Sequence, residues 1–172
     1  MLFLFNIFKS IVQILHSNDS PTQIGWGFVL GSFLGLAPFF CLHKLLILLM
    51  IVLLNVNMGA AFFSVLIFTI IGLLTDPLAD KIGFILLAKT PALTGLWTSL
   101  YNTPLIPFTK FNNTIVLGSL MLNIIFIFPL FIFTRKFVVY YRKNLAQKVE
   151  KWKIMKLFKL SGVFNVYSNY QA

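Results

Sequence analysis

At 172 residues the chain is one domain, and its composition excludes an ordinary soluble one: 59% of residues are hydrophobic and 10% charged. A soluble domain carries roughly 25% charged and 45–50% apolar residues. A core of this length cannot hide so much Phe, Leu and Ile, so lipid is expected to cover the surface. The net charge is +10, but nine of the fourteen Lys and Arg lie between Arg135 and Lys159, a local block and not a generally basic surface. Cys41 is the single cysteine, which excludes an intrachain disulfide and a thiolate metal cluster.

The N-terminal stretch M-L-F-L-F-N-I-F-K-S has no positive region ahead of its apolar run and no small-x-small cleavage pattern near residue 17, so no signal peptide is expected. Within residues 1–16, Leu2, Phe5, Phe8, Val12 and Leu15 share one helical face while Asn6, Lys9, Gln13 and His16 lie roughly opposite. The expectation over 1–19 is an amphipathic helix lying in a membrane interface, ending in the polar break His16 to Ser20.

Residues 20–57 predict a helical hairpin. Ser20-Pro21-Thr22-Gln23 is a helix start, with Ser as N-cap, Pro at the first helical position and Gln three residues after the cap. Gly27, Gly31 and Gly35 follow at every fourth residue, which places them on one ridge. Such a ridge serves the close approach of another backbone, above all in lipid. Ala37-Pro38 bends or ends the helix. A second apolar run, 45–54, follows His43-Lys44, and Asn55-Val56-Asn57 closes the hairpin with Asn57 placed to cap the next helix. About 20 helical residues are needed to cross a hydrocarbon core of about 30 Å. Either both limbs cross with a tight tip, or the hairpin enters and leaves on one side.

Residues 58–75 hold no charge and form a span, whose Gly59, Ala60 and Ala61 are small enough to receive the glycine ridge. Thr75-Asp76-Pro77 reads as a second cap, opening short interfacial helices over 77–88 and 91–100, with Trp97 and Tyr101 at headgroup level. Residues 102–113, with Pro104 and Pro107, are a loop. Residues 114–134, capped by Asn113, are the clearest span; Asn123 is its one strongly polar side chain and Pro129 its expected kink. From Arg135 to Leu160 aromatic and aliphatic residues interleave with cations as in a long amphipathic helix, followed by a weakly patterned tail. The cationic block should face the cytoplasm, which puts both termini inside, 76–113 outside and 55–57 inside.

Catalytic sets are absent from the pattern. His16 and His43 are too few for a His-based metal site, and four scattered acids suggest no carboxylate pair. G-x-x-x-G-x-x-x-G is not a nucleotide motif, lacking Gly-Lys-Ser/Thr and a preceding strand. No enzyme activity, cofactor or metal is expected. His43-Lys44 is the most informative pair: a cation in the first turn of a helix opposes the helix dipole, which makes sense if an anion such as a lipid phosphate visits that terminus. The bland reading is that Lys44 snorkels to the headgroups. Anion or headgroup contact is thus assigned to His43, Lys44, Arg142, Lys143, Lys148 and Lys151. Helix packing is assigned to Gly27, Gly31, Gly35, Pro38, Asn55 and Asn57, with Asn123 able to bond across helices. Asp76, Asp80 and Lys81 form a polar cluster in which Asp76 is a cap and the adjacent Asp80 and Lys81 are too poorly placed for a direct salt bridge. The basic C-terminal helix ranks anionic lipid first as partner, a protein second, and nucleic acid last, since it carries no recognised nucleic-acid module.

The stretch S-P-T-Q-I-G-W-G-F-V-L-G-S-F-L-G-L-A-P-F, followed by His43-Lys44 and Asn55-x-Asn57, resembles a bacterial family of small inner-membrane proteins classed as a domain of unknown function. The family pattern is a proline-started helix, G-x-x-x-G before a proline, a polar pair in the turn, an Asn after the second apolar run and a later Asp/Asn-Pro. Gly31, Gly35, Pro38, His43, Asn55, Asn57 and Asp76-Pro77 match it. Leu54 stands where the family has a basic residue before the Asn. The core resemblance covers about residues 20–90, while F-N-N-T-I-V-L-G-S (111–119) and the basic tail are similar to one longer subgroup. The resemblance implies no catalytic residue. Because the neighbouring gene in that subgroup often resembles one for a large envelope protein, it implies an envelope partner. The sequence therefore predicts an all-α polytopic inner-membrane protein built on a Gly-packed hairpin. Its expected role is a non-catalytic, membrane-embedded partner or scaffold in an envelope assembly, a lipid-handling one included. The alternative is a small transporter or lipid translocase with its site at the hairpin tip. Homo-oligomerisation is compatible with either.

Overall fold

The computed structural model describes residues 2–38 and 40–146, and among these every regular element is helical. Six α-helices follow in order among the described residues: α1 (Leu2–Leu15), α2 (Pro21–Leu36), α3 (Leu42–Leu53), α4 (Met58–Ala88), α5 (Thr94–Tyr101) and α6 (Thr114–Tyr140). Two 3₁₀ turns, Pro91–Leu93 and Ile106–Thr109, sit on either side of α5, and α6 continues into a π-helical turn, Tyr141–Leu145.

Local chemistry sets most boundaries. Ser20 and Gln23 form a reciprocal capping box at the start of α2, Ser20 Oγ accepting from Gln23 N–H at 3.2 Å and Gln23 Oε1 accepting from Ser20 N–H at 2.8 Å. Pro38 ends α2, because the residue before a proline is driven out of the α region; Ala37 is accordingly extended, with φ −81° and ψ 127°. Leu54 closes α3 and Asn55 turns the chain at φ 51°, a left-handed conformation that Asn tolerates. Asn57 then caps α4, its Oδ1 accepting from Ala60 N–H at 2.5 Å.

The expected break at Thr75-Asp76-Pro77 does not occur. One helix of 31 residues runs through Pro77, so 58–75 and 77–88 are a single element and Asp76 lies inside it, not at its cap. The signal misleads because a cap followed by proline looks the same at a helix start and within a helix that tolerates one missing hydrogen bond. The expected boundary at residue 134 is also absent: α6 passes Pro129 and carries Arg135 and Lys136 in the same helix as the apolar run. The predicted basic helix beyond Ala146, including Lys148 and Lys151, lies outside the described residues.

The core is a three-helix packing of α2, α4 and α6 through small residues. The glycine ridge of α2 faces α4 and not the other limb of its own hairpin. A Cβ at Gly27 would run into the carbonyl of Asn57, one at Gly31 into that of Ala61, and one at Gly35 would come within 2.7 Å of Val65 O. These partners advance by four residues in step with the glycines, so α2 and α4 run parallel and in contact along one seam. Farther along the same face, α4 meets α6, which runs antiparallel to it: a Cβ at Gly83 would strike the Thr114 carbonyl and one at Gly118 the Ala79 carbonyl. Ser64, fully buried, donates to Phe28 O at 2.5 Å across the first seam. Between α2 and α6, the Ser32 hydroxyl is shared between Val29 O at 2.6 Å and Asn123 Oδ1 at 3.0 Å, while Asn123 Nδ2 donates to Ser119 O at 3.1 Å.

Because no side chain separates these backbones, added volume has nowhere to go. Gly118→Ala is expected to lower stability by about 1–3 kcal/mol, the cost of overpacking a close-packed interior. Gly95→Ala in α5, where nothing lies within 4 Å, should be neutral or slightly stabilising. Thermal unfolding of the two variants in detergent checks the pair.

Candidate functional site

Two polar clusters stand out against this apolar frame, one at the hairpin tip and one at the opposite end of the bundle. The tip comprises residues 37–44. Leu36, the last residue of α2, meets Gly72 near the middle of α4, where a Cβ would lie 3.1 Å from Leu36 O. The hairpin therefore stops alongside the middle of α4. Its limbs of 16 and 12 residues rise only about 24 and 18 Å, each short of an apolar layer of about 30 Å.

Within the tip, Lys44 Nζ donates to the carbonyl of Ala37, the C-cap of α2. This corrects the argument from the dipole of α3. The ammonium sits in the first turn of α3, yet it reaches back over the tip to the carbonyl end of α2, where a cation is favoured. No visiting anion is needed to explain it. His43 Nδ1 lies 3.3 Å from Thr109 O, joining the tip to the 3₁₀ turn of the 102–113 loop, and its Nε2 lies 3.5 Å from Cys41 Sγ. Cys41 itself is buried, at 2% exposure. The neighbouring Phe40 is 78% exposed and is the outermost residue of the tip for which a side chain is described. Pro38 acts here by ending α2, not by packing between helices.

The opposite end of the bundle carries a hydrogen-bonded layer that ties four segments together. Asn57 Nδ2 donates to Asp19 Oδ2 and, at 3.3 Å, to Ser17 Oγ. Asn57 N–H donates to Gln23 O at 3.2 Å, and Gln23 Nε2 donates to Asn55 O at 3.1 Å. Arg142 closes the layer: its Nε donates to Leu15 O at 3.0 Å and its Nη2 to Ser17 O at 2.8 Å. Arg142 thus binds the carbonyl end of α1, again a favourable place for a cation and a structural role beside the headgroup contact expected of it. Asn55 contributes through its backbone and not as side-chain glue. The π turn that begins at Tyr141 is what aims Arg142: its wider turn shifts the register relative to α6. Tyr141, buried, meets His16 edge-on at 5.5 Å.

Asp76, Asp80 and Lys81 do not form one site. Asp80 Oδ1 accepts from Thr114 Oγ1, which places a carboxylate at the N-terminus of α6, where it is favoured. Lys81 is exposed and Asp76 half-buried. Trp97 Nε1 donates to Leu86 O at 3.0 Å and stacks on Phe111 at 5.9 Å, folding α5 back on the end of α4. Among the described residues no group of three His, Cys, Asp or Glu is placed to hold a metal. Arg135 and Lys136 are not among the contacts expected from the sequence. Both lie exposed along a groove on the second half of α6, together with Lys143. The sequence signal was there, since they are the first charges after a run of 21 uncharged residues, 114–134.

These features define an all-helical protein in which α4 and the continuous helix Thr114–Leu145 are long and apolar enough to cross a membrane. The chain belongs to the bacterial family described as "Uncharacterized protein conserved in bacteria", DUF2062, which it matches over residues 7–147. That match extends well beyond the 20–90 core that carries the resemblance in the sequence. A relative from Treponema pallidum, also described as an uncharacterized protein, is 27% identical over 146 residues, covering 85% of this chain and 87% of its own length. No solved structure matches the chain.

Removing Arg142 should free α1 while leaving the three-helix core folded. Arg142→Gln removes two charge-assisted hydrogen bonds from a half-buried site, an effect of about 2 kcal/mol. Hydrogen exchange is expected to rise over Leu2–Leu15 and to stay unchanged in α2 and α4. Asn57→Ala, by contrast, removes a helix cap worth about 1 kcal/mol and also the partner of Asp19. It should lower the unfolding temperature of the whole bundle.

Proposed function

We propose that the chain is a multi-pass protein of the bacterial inner membrane, with both termini cytoplasmic, that serves without catalysis as a membrane-embedded partner or scaffold in an envelope assembly. The observation that carries the membrane part is the outer surface of the bundle. Leu53 is 70% exposed, Ile70 66%, Leu74 78%, Phe128 69% and Phe133 68%, while α4, the central helix, buries Ala60, Ala61, Ser64, Gly72, Ala79 and Gly83. Small residues inside and large apolar ones outside is the arrangement of helices whose solvent is lipid, because burying a Leu between helices gains nothing there over leaving it in acyl chains. Two spans, α4 and α6, with α2–α3 as a hairpin re-entering from the side of the termini, satisfy this surface. Irregular backbone at the tip is tolerated because Lys44 and His43 hydrogen-bond to protein carbonyls.

The same bonds favour a scaffold over a transporter. A substrate site at the tip needs polar groups free to exchange partners, whereas the Lys44 ammonium and the His43 ring are engaged with backbone. Anionic lipids and a larger envelope protein remain the partners that the cationic C-terminal block suits. Nucleic acid does not suit a chain held in a bilayer.

Two measurements test the reading. In a Cys41→Ser background, Phe40→Cys should resist a membrane-impermeant maleimide from both faces of proteoliposomes, whereas Asn102→Cys in the loop is labelled from one. Labelling of Phe40→Cys from the loop side would mean that the hairpin crosses. Replacing Lys148, Lys151, Lys153, Lys156 and Lys159 with Gln should abolish co-purification of the envelope partner, and Lys44→Ala should leave it intact. The opposite pattern would move the function to the hairpin tip.

A further inference from the structure

We infer that the groove along the second half of α6 is a binding site for an anionic glycerophospholipid, holding its phosphodiester between Arg135, Lys136 and Lys143. The inference rests on the membrane reading above and assigns the lipid contact to residues other than Arg142 and the tip pair. The groove is an open furrow of about 490 Å³ between side-chain rows of this one helix, residues 131–144. Its cationic end is made by three exposed side chains that line it together: Lys136 and Lys143, seven residues apart, lie along one row, and Arg135 lies on the adjoining row. No acid is among the residues that line it.

Its other end is apolar. Phe131 and Ile132 lie one turn before the cations, and Val139 lies between them. The change from apolar to cationic falls at Thr134–Arg135, where the uncharged run ends, so in a bilayer the cations sit at headgroup level with the apolar wall beneath. That is the layout of a phospholipid: a phosphodiester above, an acyl chain below. Arg135 supplies a planar fork that matches phosphate oxygens, and the two lysines supply point charges. The register shift of the π turn separates the two roles of the basic cluster, with Arg142 turned toward α1 and Lys143 left on the groove. The chain's own segment beyond Ala146 does not complement the groove, since its five lysines face a single Glu150.

The protein carries a reporter at this place. Trp26 packs on Phe131 with ring centroids 4.7 Å apart. The experiment uses the full chain with Trp97→Phe and Trp152→Phe, reconstituted in phosphatidylcholine vesicles containing a small fraction of brominated lipid. Brominated phosphatidylglycerol is expected to quench Trp26 several-fold more effectively than the same amount of brominated phosphatidylcholine. Arg135→Gln/Lys136→Gln/Lys143→Gln should remove that excess while leaving quenching by phosphatidylcholine unchanged. The charge-preserving set Arg135→Lys/Lys136→Arg/Lys143→Arg should retain most of it.

Equal quenching by the two lipids in the starting protein overturns the inference, as does an excess that survives the triple Gln variant. An excess lost to inorganic phosphate but not to chloride at equal ionic strength also overturns it, assigning the groove to free anions. Failure of the membrane reading is a different result, in which neither brominated lipid quenches Trp26 at all.

Discussion

Everything in this fold depends on backbone touching backbone along α4. Gly31 against Ala61, Gly83 against Thr114 and Gly118 against Ala79 leave no room for even a methyl group, so the three long elements can only sit in one register. In water such seams would be weak, because they bury little apolar area. In lipid, dispersion and cross-helix hydrogen bonds are what remains to hold helices together, and both need close approach. Ser64 to Phe28 O and Ser32 to Asn123 are bonds that only such proximity permits.

Fixing the core in this way leaves the ends to polar chemistry, and one device recurs. A cation reaches the carbonyl end of a helix from elsewhere in the chain: Lys44 at the end of α2, Arg142 at the end of α1. A carboxylate does the converse at the start of α6, where Asp80 meets Thr114. Unsatisfied termini are costly in an apolar surrounding, and each is met by a full charge of the favourable sign. Two of the cations that the sequence offers as ligand contacts, Lys44 and Arg142, are thereby engaged in holding the protein together. Arg135, Lys136 and Lys143, by contrast, are left exposed on the second half of α6.

The legible features were those whose cause is local. The S-P-T-Q start, the Asn57 cap, the end of α2 before Pro38 and the four-residue glycine spacing each follow from residues a turn or two apart. The features that misled depend on partners far along the chain. Nothing near Arg142 announces that its guanidinium meets Leu15 and Ser17, more than 120 residues earlier. Spacing shows that Gly27, Gly31 and Gly35 share a ridge, and the small residues Gly59, Ala60 and Ala61 point to the start of α4 as its partner, but the contact continues past them to Val65 and Gly72. Pro77 was read as a helix start because its local chemistry is the same as Pro21's. The difference is that the helix at residue 77 is flanked along its length by close packing, with α2 at Gly72 and with α6 at Ala79 and Gly83.

The short hairpin is where these constraints meet function. α2 packs on α4 through its whole glycine ridge and then stops halfway along it, so a turn of irregular backbone is left against the middle of a long apolar helix. A protein has two ways to use such a turn. It can leave polar groups there open for a solute, or it can close them on itself and use the hairpin as a wedge that fixes the spacing of the spans. Here His43 is joined to the 102–113 loop and Lys44 to Ala37, so the tip binds the far loop to α2. The wedge then couples the two ends of the molecule: the loop held by His43 adjoins the start of α6, and the other end of α6 presents the cations and anchors α1. A partner or lipid that engages Arg135, Lys136 and Lys143 would therefore act on an element already braced at both ends, and it is on this bracing that the scaffold proposal draws.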